Sequence, residues 1–261
     1  MSSCCGPTQP SIDQTQAVED RYGAAATEQE ACLCTPVAFD ASLLSPLPKE
    51  VVERDYGCGD PTRWVQSGDA VLDLGSGSGK NAFICSQVVG EKGKVIGVDR
   101  NSDMLALSRS AAPVVAERIG YANVGFLEGA IESLDALDAE GEPLVADSSI
   151  DVVLSNCVLN LVNPSARQRL LKNIRRVLRP AGRVAISDIV CNRPVPMSLQ
   201  QDPELWSGCI SGAWLEDAFL EDFRALGLEQ VQYAERSETP WRVVEGIEFR
   251  AVTLTGALPN S

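Results

Sequence analysis

The sequence contains no histidine among its 261 residues. Histidine is the usual general base near neutral pH, and it completes Ser-His-Asp triads and many metal sites. Hydrolase and metalloenzyme mechanisms of those kinds are therefore excluded. Any chemistry falls to cysteine, carboxylate, hydroxyl or a cofactor.

Positive charge and long apolar runs are also scarce. The chain has 22 Lys and Arg against 36 Asp and Glu, a formal net charge of -14. Such a charge repels phosphate backbones and anionic lipid, so we expect neither nucleic acid nor a membrane as partner. No apolar run approaches the roughly 18 residues that cross a bilayer, and the N-terminus MSSCCGPTQP has no apolar leader. We expect a cytoplasmic protein.

Cysteine, in contrast, is abundant. The chain has 9, an odd number, which in a reducing compartment argues against a disulfide framework. Cys85 and Cys191 fit small buried positions of a helix and a strand end. Cys32 and Cys34 form a C-x-C pair, and Cys58 lies between two glycines, which we expect to leave its thiol open to approach from several sides.

The stretch Val71–Lys80, VLDLGSGSGK, predicts a buried strand, a tight turn with glycines at every second position, and a helix start. Glycine permits close approach of a ligand to the backbone, and the first N–H groups of a helix lack internal partners. A second strand, Lys94–Val98, ends at Asp99, about 20 residues on, where nucleotide-binding folds place the acid that binds ribose. We therefore predict an adenosine-type ligand here.

Strands and helices alternate through the rest of the chain, which predicts an α/β fold with a doubly wound, mainly parallel sheet. Pro113 should kink or break the helix that starts after Asn101. Four segments are expected: a mobile tail with Cys4 and Cys5, a thiol-bearing lead-in, a Rossmann-like ligand-binding domain, and a substrate-binding insert followed by a final helix and strands. Their bounds are residues 1–18, 19–64, 65–190 and 191–261.

The glycine turn, the acid at Asp99 and the segment RPAGRVAISDI together resemble the class I S-adenosylmethionine-dependent methyltransferases. The resemblance covers roughly residues 65–256 and implies S-adenosylmethionine as cofactor. It implies that Asp99 holds the ribose hydroxyls and that Asn156 and Cys157 face the methyl group. The other implied cofactor residues are Asp73, Gly75, Ser76, Gly77 and Gly79 for the methionine and ribose, and Asn101, Met104, Ile131 and Glu132 for the adenine.

Three cysteine motifs, DYGCGDP, SNCVLNL and GCISGAW, further resemble those of the arsenite methyltransferases, and the run CLCTPVAFD resembles members associated with arsenosugar pathways. This resemblance implies that Cys157 and Cys209 bind trivalent arsenic and that Cys58 takes part in thiol exchange, or is a third ligand. It also implies an upstream cysteine that corresponds to Cys32 or Cys34.

The chemistry of arsenic agrees with such a site. Trivalent arsenic is soft and prefers thiolates, so three cysteines can form a pyramidal S3 site whose lone pair points away from the sulfurs. A lone pair in line with a sulfonium methyl group needs orientation rather than a base. Restoring trivalent arsenic then takes two electrons, which Cys58 could supply by a disulfide with Cys32 or Cys34. We expect arsenite or thiol-conjugated arsenite as substrate, thioredoxin or glutathione as reductant, a monomer, and a role in arsenic detoxification.

Two other functions fit the sequence. A methyltransferase of a small organic acceptor would use a carboxylate such as Asp188 as base and would tolerate loss of the cysteines. A non-catalytic thiol-rich protein would bind soft metals without making a methylated product. On the arsenic hypothesis, Asp188 is an ordinary strand-end acid, and Trp206 and Trp214 are packing residues.

Overall fold

The computed structural model describes residues 14–25 and 37–260, so Cys4, Cys5, Cys32 and Cys34 lie outside the described residues. The helices of these ranges are α1 (Gln14–Ala25), α2 (Ala41–Leu44), α3 (Lys49–Glu53), α4 (Lys80–Val89), α5 (Ser102–Ile119), α6 (Arg167–Val177), α7 (Met197–Gln200), α8 (Pro203–Ser207) and α9 (Glu216–Arg224). The strands are β1 (Ala70–Leu74), β2 (Lys94–Asp99), β3 (Val124–Glu128), β4 (Ile150–Asn156), β5 (Leu178–Cys191), β6 (Trp214–Leu215), β7 (Glu229–Arg236), β8 (Arg242–Val244) and β9 (Ile247–Ala257).

The strands form one sheet in the order β3-β2-β1-β4-β5-β9-β7, with β6 beside β5 and β8 beside β9. β1 to β6 pair in parallel, whereas β9 is antiparallel to β5, β7 and β8. The order reverses at β1, whose neighbours are β2 and β4, and open α/β sheets bind ligands at the carboxyl ends of strands at such a point. The predicted doubly wound, mainly parallel sheet is confirmed.

Each face of the sheet is covered, as the β-branched strands require. One apolar cluster joins β1, β4 and β5 to α6 and α9, and a second joins the other face to α4 and α5. A third cluster contains Cys58, Cys157 and Cys209 together with Ile189 of β5 and Phe249 of β9. The main cores thus build the scaffold, and the third one surrounds the thiols.

The predicted elements are present, with differences at their ends. Pro113 does not break α5, which continues to Ile119. Proline removes one N–H donor, and the buried face of α5, which includes Leu105, Ala111 and Val115, packs on the sheet along its whole length. Helix α9 ends at Arg224 with Ala225 as its C-cap, so Gly227, which the sequence suggests as the C-cap glycine, lies instead in the turn that follows, with φ of +81°.

None of the helices in the ranges 14–25 and 37–260 combines the length and hydrophobicity that a bilayer crossing needs. α1 spans residues 18 and 19, where the predicted boundary between tail and lead-in falls, and β5 spans residues 190 and 191. The four-segment division stays a prediction.

Candidate active site

The glycine turn after β1 has the conformation that the sequence predicts. Gly75, Gly77 and Gly79 have φ of +70°, +50° and +91°, a region that side chains disfavour. Their surroundings differ. A Cβ on Gly75 would lie 2.4 Å from a methyl group of Val158, whereas a Cβ on Gly77 would meet no atom within 4 Å. Gly75 therefore permits close packing on the loop after β4, and Gly77 faces open space.

Asp99 at the end of β2 is held by backbone donors. Its Oδ2 accepts a hydrogen bond from Gly77 N at 2.8 Å, and its Oδ1 accepts one from Asn101 N at 2.9 Å. Burial raises the pKa of this carboxyl, and the two N–H groups act in the opposite direction. The acid is thus fixed at the edge of the glycine turn, where the sequence places the ribose partner.

A cavity opens over the turn, and we call it the donor cavity. It is lined by all the predicted cofactor residues except Asp73 and Gly79: Gly75, Ser76, Gly77, Asp99, Asn101, Met104, Ile131, Glu132 and Asn156. Ser76 and Asn81 also line this cavity, and the buried atoms Ser76 Oγ and Asn81 Oδ1 have no hydrogen-bond partner among the described residues. Buried polar atoms without partners are costly, so the cavity wall is suited to a polar ligand.

Asp73 and Gly79 are the two predicted cofactor residues that are not among those lining the donor cavity. Asp73 is buried under it, and burial first, then the negative charges of Asp55 and Asp99, raises the pKa of its carboxyl well above the ordinary value. Gly79 packs on Phe83 and Phe126, whose rings would lie 2.8 Å from an added Cβ. Neither lines the donor cavity, so their predicted cofactor contact stays a prediction.

Asn156 at the end of β4 fixes the Cys58 loop. Its Oδ1 accepts hydrogen bonds from Cys58 N at 2.9 Å and Gly59 N at 3.2 Å, and its Nδ2 donates to Gly59 O at 2.8 Å. The amide is therefore fully engaged with this loop, although Asn156 also lines the donor cavity. Its structural task is to position Cys58.

The expectation that glycine flanks leave Cys58 open to approach is wrong. Cys58 is 8% exposed. A Cβ on Gly57 would lie 2.2 Å from Asn156 Nδ2, and one on Gly59 would lie 2.5 Å from Ser187 Oγ. The glycines are needed because the loop lies flat against β4 and β5, which buries the thiol.

Three predicted arsenic thiols come together in the structure. Cys157 and Cys209 are each 5% exposed and their sulfurs lie within 4.8 Å of each other, and Cys58 belongs to the same buried cluster. Cys209 Sγ donates to Cys157 O at 3.1 Å. Both residues have a left-handed backbone, with φ of +60° at Cys157 and +61° at Cys209. Such conformations cost about 1–2 kcal/mol in side-chain-bearing residues, and they cluster at functional sites.

These thiols are held in the neutral form. Burial raises the pKa of Cys58, and the charge of Asp188 raises it further. The pKa of Cys157 is raised well above the ordinary value by burial and by the neighbouring Cys209 and Cys58 thiols. Each of the two therefore carries its proton near neutral pH.

Asp188 lies beside the thiols, a position that sequence reasoning did not predict. It is 1% exposed, and its carboxylate and the thiols of Cys157 and Cys209 lie within 4.8 Å of one another. Burial raises its pKa to about 7, against the opposing effects of the Ile189 and Asn160 N–H groups and of Arg167. Asn160 Nδ2 donates to Asp188 Oδ1 at 2.7 Å and lies 3.4 Å from Cys209 O. An acid inside the apolar run AISDIV is the signal that could have indicated it.

Helix α1 is the other feature that was missed. The sequence predicts a tail over residues 1–18 and a thiol-bearing lead-in over 19–64, but α1 runs across that boundary to Ala25, and Val18 and Tyr22 line the donor cavity. The ring centroid of Tyr22 lies 6.1 Å from that of Tyr56, and burial, followed by the nearby Cys209 and Cys157, raises the pKa of the Tyr22 phenol well above its ordinary value. Val18, Tyr22 and Ala25 are spaced i, i+4 and i+7, one face of a helix, which could have shown that α1 packs on the domain.

This fold and site define a class. The chain matches the family described as methyltransferase domain over residues 65–236. The chain therefore belongs to the methyltransferase-domain family, with the fold of the class I S-adenosylmethionine methyltransferases.

Within that family, the chain is similar to arsenite methyltransferases. It is 38% identical over 206 residues to the arsenite methyltransferase of Aquipseudomonas alcaligenes, covering 76% of this chain and 57% of that protein. It is 36% identical over 239 residues to the arsenite methyltransferase of Halobacterium salinarum, covering 90% of this chain and 55% of that protein. The crystal structure of an arsenic(III) S-adenosylmethionine methyltransferase from Chlamydomonas reinhardtii matches with a TM-score of 0.73 and 34% identity, covering 86% of this chain and 74% of that one. The chain thus spans little more than half the length of the two curated relatives.

Proposed function

We propose that the protein transfers the methyl group of S-adenosylmethionine to trivalent arsenic bound by Cys157 and Cys209, with Cys58 beside them. One observation carries the proposal. Cys157 lines the donor cavity, its sulfur lies within 4.8 Å of that of Cys209, and Cys58 belongs to the same buried cluster. An acceptor bound to that sulfur is placed at the wall of the cavity that suits a polar donor. Relatives named arsenite methyltransferase support the choice of acceptor.

The donor cavity fits the proposed cofactor. The unpartnered oxygens of Ser76 and Asn81 and the open space over Gly77 are features that a polar adenosyl ligand would satisfy. Asp99 would hold its ribose, and Met104 and Ile131 would flank its adenine. When bound, S-adenosylmethionine supplies an electrophilic methyl group on a sulfonium ion.

Neutral thiols are suited to loading arsenite, which is itself neutral. As each sulfur bonds to arsenic, an As–OH bond breaks, and the thiol proton leaves with the hydroxide as water. With thiol-conjugated arsenite, the proton leaves with the departing thiol instead. No charge is created in the buried cluster, which avoids the cost of burying an ion.

The orientation of arsenic follows from the fixed sulfurs. The left-handed backbone at Cys157 and Cys209 and the clamp of Asn156 on the Cys58 loop hold the thiols in place. The arsenic lone pair then attacks the methyl carbon, the carbon–sulfur bond of the donor breaks, and no proton moves. Fixed orientation alone is a large source of rate enhancement.

We further propose a thiol step that restores trivalent arsenic. Two thiols lose two protons and two electrons to form a disulfide, and thioredoxin or glutathione then reduces it. Cys58 is one thiol of this pair, and Cys32 or Cys34, both outside the described residues, is the other. The remaining parts of the proposal are a monomer in the cytoplasm and a role in arsenic detoxification.

The test is a product assay. Reduced pure protein receives arsenite, S-adenosylmethionine and a thiol reductant, and methylated arsenicals are separated by chromatography. We expect methylarsenicals from the wild type and none from Cys157→Ser or Cys209→Ser, whereas Cys85→Ser, changed in the α4 core, keeps its activity. Absence of product with the wild type would refute the proposal.

The same assay tests the two other functions. A methyltransferase of an organic acceptor would turn over such a substrate with both cysteine variants active, and a soft-metal binder would bind arsenite without product. The first fits the structure less well, because Asp188 is not among the residues lining the donor cavity, and its oxygens accept hydrogen bonds from Asn160 and Ile189.

A further inference from the structure

Two of the proposed arsenic thiols have a buried carboxylate beside them. The sulfurs of Cys157 and Cys209 and a carboxylate oxygen of Asp188 all lie within 4.8 Å of one another. In a tetrahedral zinc site with such ligands, neighbouring ligand atoms are about 3.5 to 3.8 Å apart. Small side-chain rotations are therefore enough to bring the three atoms onto one cation.

These ligand types suit zinc. In proteins Zn²⁺ is bound by cysteine, histidine and carboxylate side chains, and the chain has no histidine, so thiolate and carboxylate are what it offers. Open zinc sites have three protein ligands and keep a fourth position for water. Cys157 lines the donor cavity, which gives a cation and its water access to the site.

Asp188 is oriented in the way that metal-ligating carboxylates are. Such carboxylates accept hydrogen bonds from neighbouring groups, which fix their position. Asp188 Oδ1 accepts hydrogen bonds from Asn160 Nδ2 at 2.7 Å and Ile189 N at 2.8 Å, and Oδ2 accepts one from Asn160 N at 3.3 Å. A carboxylate has about four acceptor positions, so these three bonds leave room for a cation.

The charges around a bound divalent cation also balance. Two thiolates and one carboxylate carry three negative charges, of which the cation leaves one. Arg167 is the cation near Asp188, and it is held in place by the Trp214 ring, whose centroid lies 3.7 Å from Arg167 Cζ, and by Gly212 O, which accepts from its Nη2. A cluster that is neutral as a whole avoids the cost of an unpaired buried charge.

We propose that Cys157, Cys209 and Asp188 form a binding site for a thiophilic divalent cation of the zinc class. On binding, two S–H bonds break, two metal–sulfur bonds and one metal–oxygen bond form, and the thiol protons pass to water, together with the proton of Asp188 where that carboxyl is protonated. Arsenic binds to the sulfurs without the carboxylate, so the cation competes with it but also needs Asp188. The site rests on the described geometry, and the competition rests on the proposed function.

The test uses Cd²⁺, a zinc-class ion whose bonds to thiolate give an ultraviolet charge-transfer band. The reference is the full chain with the thiols outside the described residues removed by Cys4→Ser, Cys5→Ser, Cys32→Ser and Cys34→Ser. We expect it to bind one Cd²⁺ with this band, and we expect the band to be lost when either Cys157→Ser or Cys209→Ser is added.

Asp188→Asn, added to the same reference, should weaken Cd²⁺ binding by at least about tenfold, because even residues that only support a metal ligand contribute about tenfold to a hundredfold. Its arsenite binding should stay near the reference value, and its binding of S-adenosylhomocysteine shows that it is folded. The matched control is Asp147→Asn, at an exposed carboxyl, which should bind Cd²⁺ as the reference does.

X-ray absorption of the reference complex needs no change at Asp188. Two sulfur neighbours with oxygen neighbours are expected around cadmium. Coordination by sulfur alone, or equal Cd²⁺ affinity with and without Asp188→Asn, would overturn the site. Binding of arsenite but not of Cd²⁺ would refute this inference and leave the proposed function intact, whereas binding of Cd²⁺ but not of arsenite would do the reverse.

Discussion

The two halves of the site are built on opposite principles. The donor half is the glycine turn with Asp99. Here the buried oxygens of Ser76 and Asn81 lack hydrogen-bond partners within residues 14–25 and 37–260, and the backbone N–H of Gly77 donates to the Asp99 carboxylate. In the acceptor half, the thiols of Cys58, Cys157 and Cys209 lie in an apolar cluster. One half is open to a polar ligand, and the other excludes water.

This difference reflects what each half has to bind. A polar ligand gains from groups that are left unsatisfied, because it completes their hydrogen bonds. Arsenic gains from sulfur, a soft ligand that needs no solvation and that stays neutral in a dry cluster. The free-energy cost of the acceptor half lies in the strained backbone of Cys157 and Cys209 and in the burial of Asp188.

The largest expected effect concerns that acid. Asp188 has a pKa of about 7 in the folded protein, against an ordinary value of 3.8, so between these values the folded state holds a proton that the unfolded state has lost. Wild-type stability should therefore fall as pH rises from 4 to 7, by on the order of 4 kcal/mol. Asp188→Asn cannot ionise and should lack this loss. Urea unfolding at pH 4.5 and pH 8 measures it.

The charged and titratable groups around Asp188 affect its pKa as well. Arg167 is the nearby cation, and Cys58, Cys157 and Cys209 are the nearby acids. In Asp188→Asn, the new side-chain amide also faces the backbone N–H of Asn160. This contact lowers the stability of the variant by an amount that does not change with pH. Asp147→Asn, at an exposed carboxyl, is the control. Equal pH dependence in the wild type and Asp188→Asn would show that the acid is not held protonated by burial.

The second prediction concerns the place where the halves meet. Gly75→Ala adds a Cβ that would lie 2.4 Å from Val158, next to Cys157, and places it at φ of +70°. Strain of about 1–2 kcal/mol plus overpacking of about 1–3 kcal/mol is expected. Gly77→Ala carries the strain alone, because its Cβ would meet no atom within 4 Å.

Binding distinguishes these two variants. Gly75→Ala should weaken binding of both S-adenosylhomocysteine and arsenite, since Val158 must move, whereas Gly77→Ala should weaken only the first. Calorimetric titration of each ligand measures the effect. If Gly77→Ala also loses arsenite binding, a change in the donor half affects the acceptor half, and the two halves do not bind their ligands independently.

The third prediction isolates the donor half. Asp99→Asn removes a charged acceptor of the Gly77 and Asn101 N–H groups and of the proposed ribose hydroxyls. We expect binding of S-adenosylhomocysteine to weaken by about tenfold to a hundredfold, since hydrogen bonds to charged groups are worth about 1.5–3 kcal/mol. Arsenite binding should not change. Cys209→Ser is the reciprocal variant, and it should lose arsenite while retaining the nucleoside.

The donor half could be predicted from the sequence because the residues that form it lie close together in the chain. Gly75 to Gly79 and Asp99 lie on consecutive strands, and the alternation of strands and helices fixes where those strands end. The fold and the switch point at β1 could be derived in the same way. The prediction that Cys58, Cys157 and Cys209 form one site came from motif resemblance, because these residues are far apart in the sequence and no local pattern brings them together.

The residues that were missed act across long separations. Arg21 and Ser207 are 186 positions apart, and the ring contact of Tyr22 with Tyr56 belongs to the same docking of α1. Asp188 reads as a strand-end acid until the loops that carry Cys157 and Cys209 cover it. Such contacts depend on tertiary packing, which periodicity and spacing do not encode.

The smallest expected effect tests the strain in the acceptor half. Cys209→Gly and Cys209→Ala both remove the thiol, and they differ in the backbone that they prefer. Because Cys209 has φ of +61°, glycine relieves strain that alanine keeps. The glycine variant should be more stable by about 1 kcal/mol, as measured by urea unfolding.

The same pair of substitutions at Cys85 gives the control. Cys85 lies inside α4, where glycine is about 1 kcal/mol worse than alanine. The order of stability should thus reverse between the two cysteines. If alanine is the better replacement at both positions, then the left-handed backbone at Cys209 is not a fixed property of the folded chain, and the thiol is held by its hydrogen bond to Cys157 O rather than by the loop.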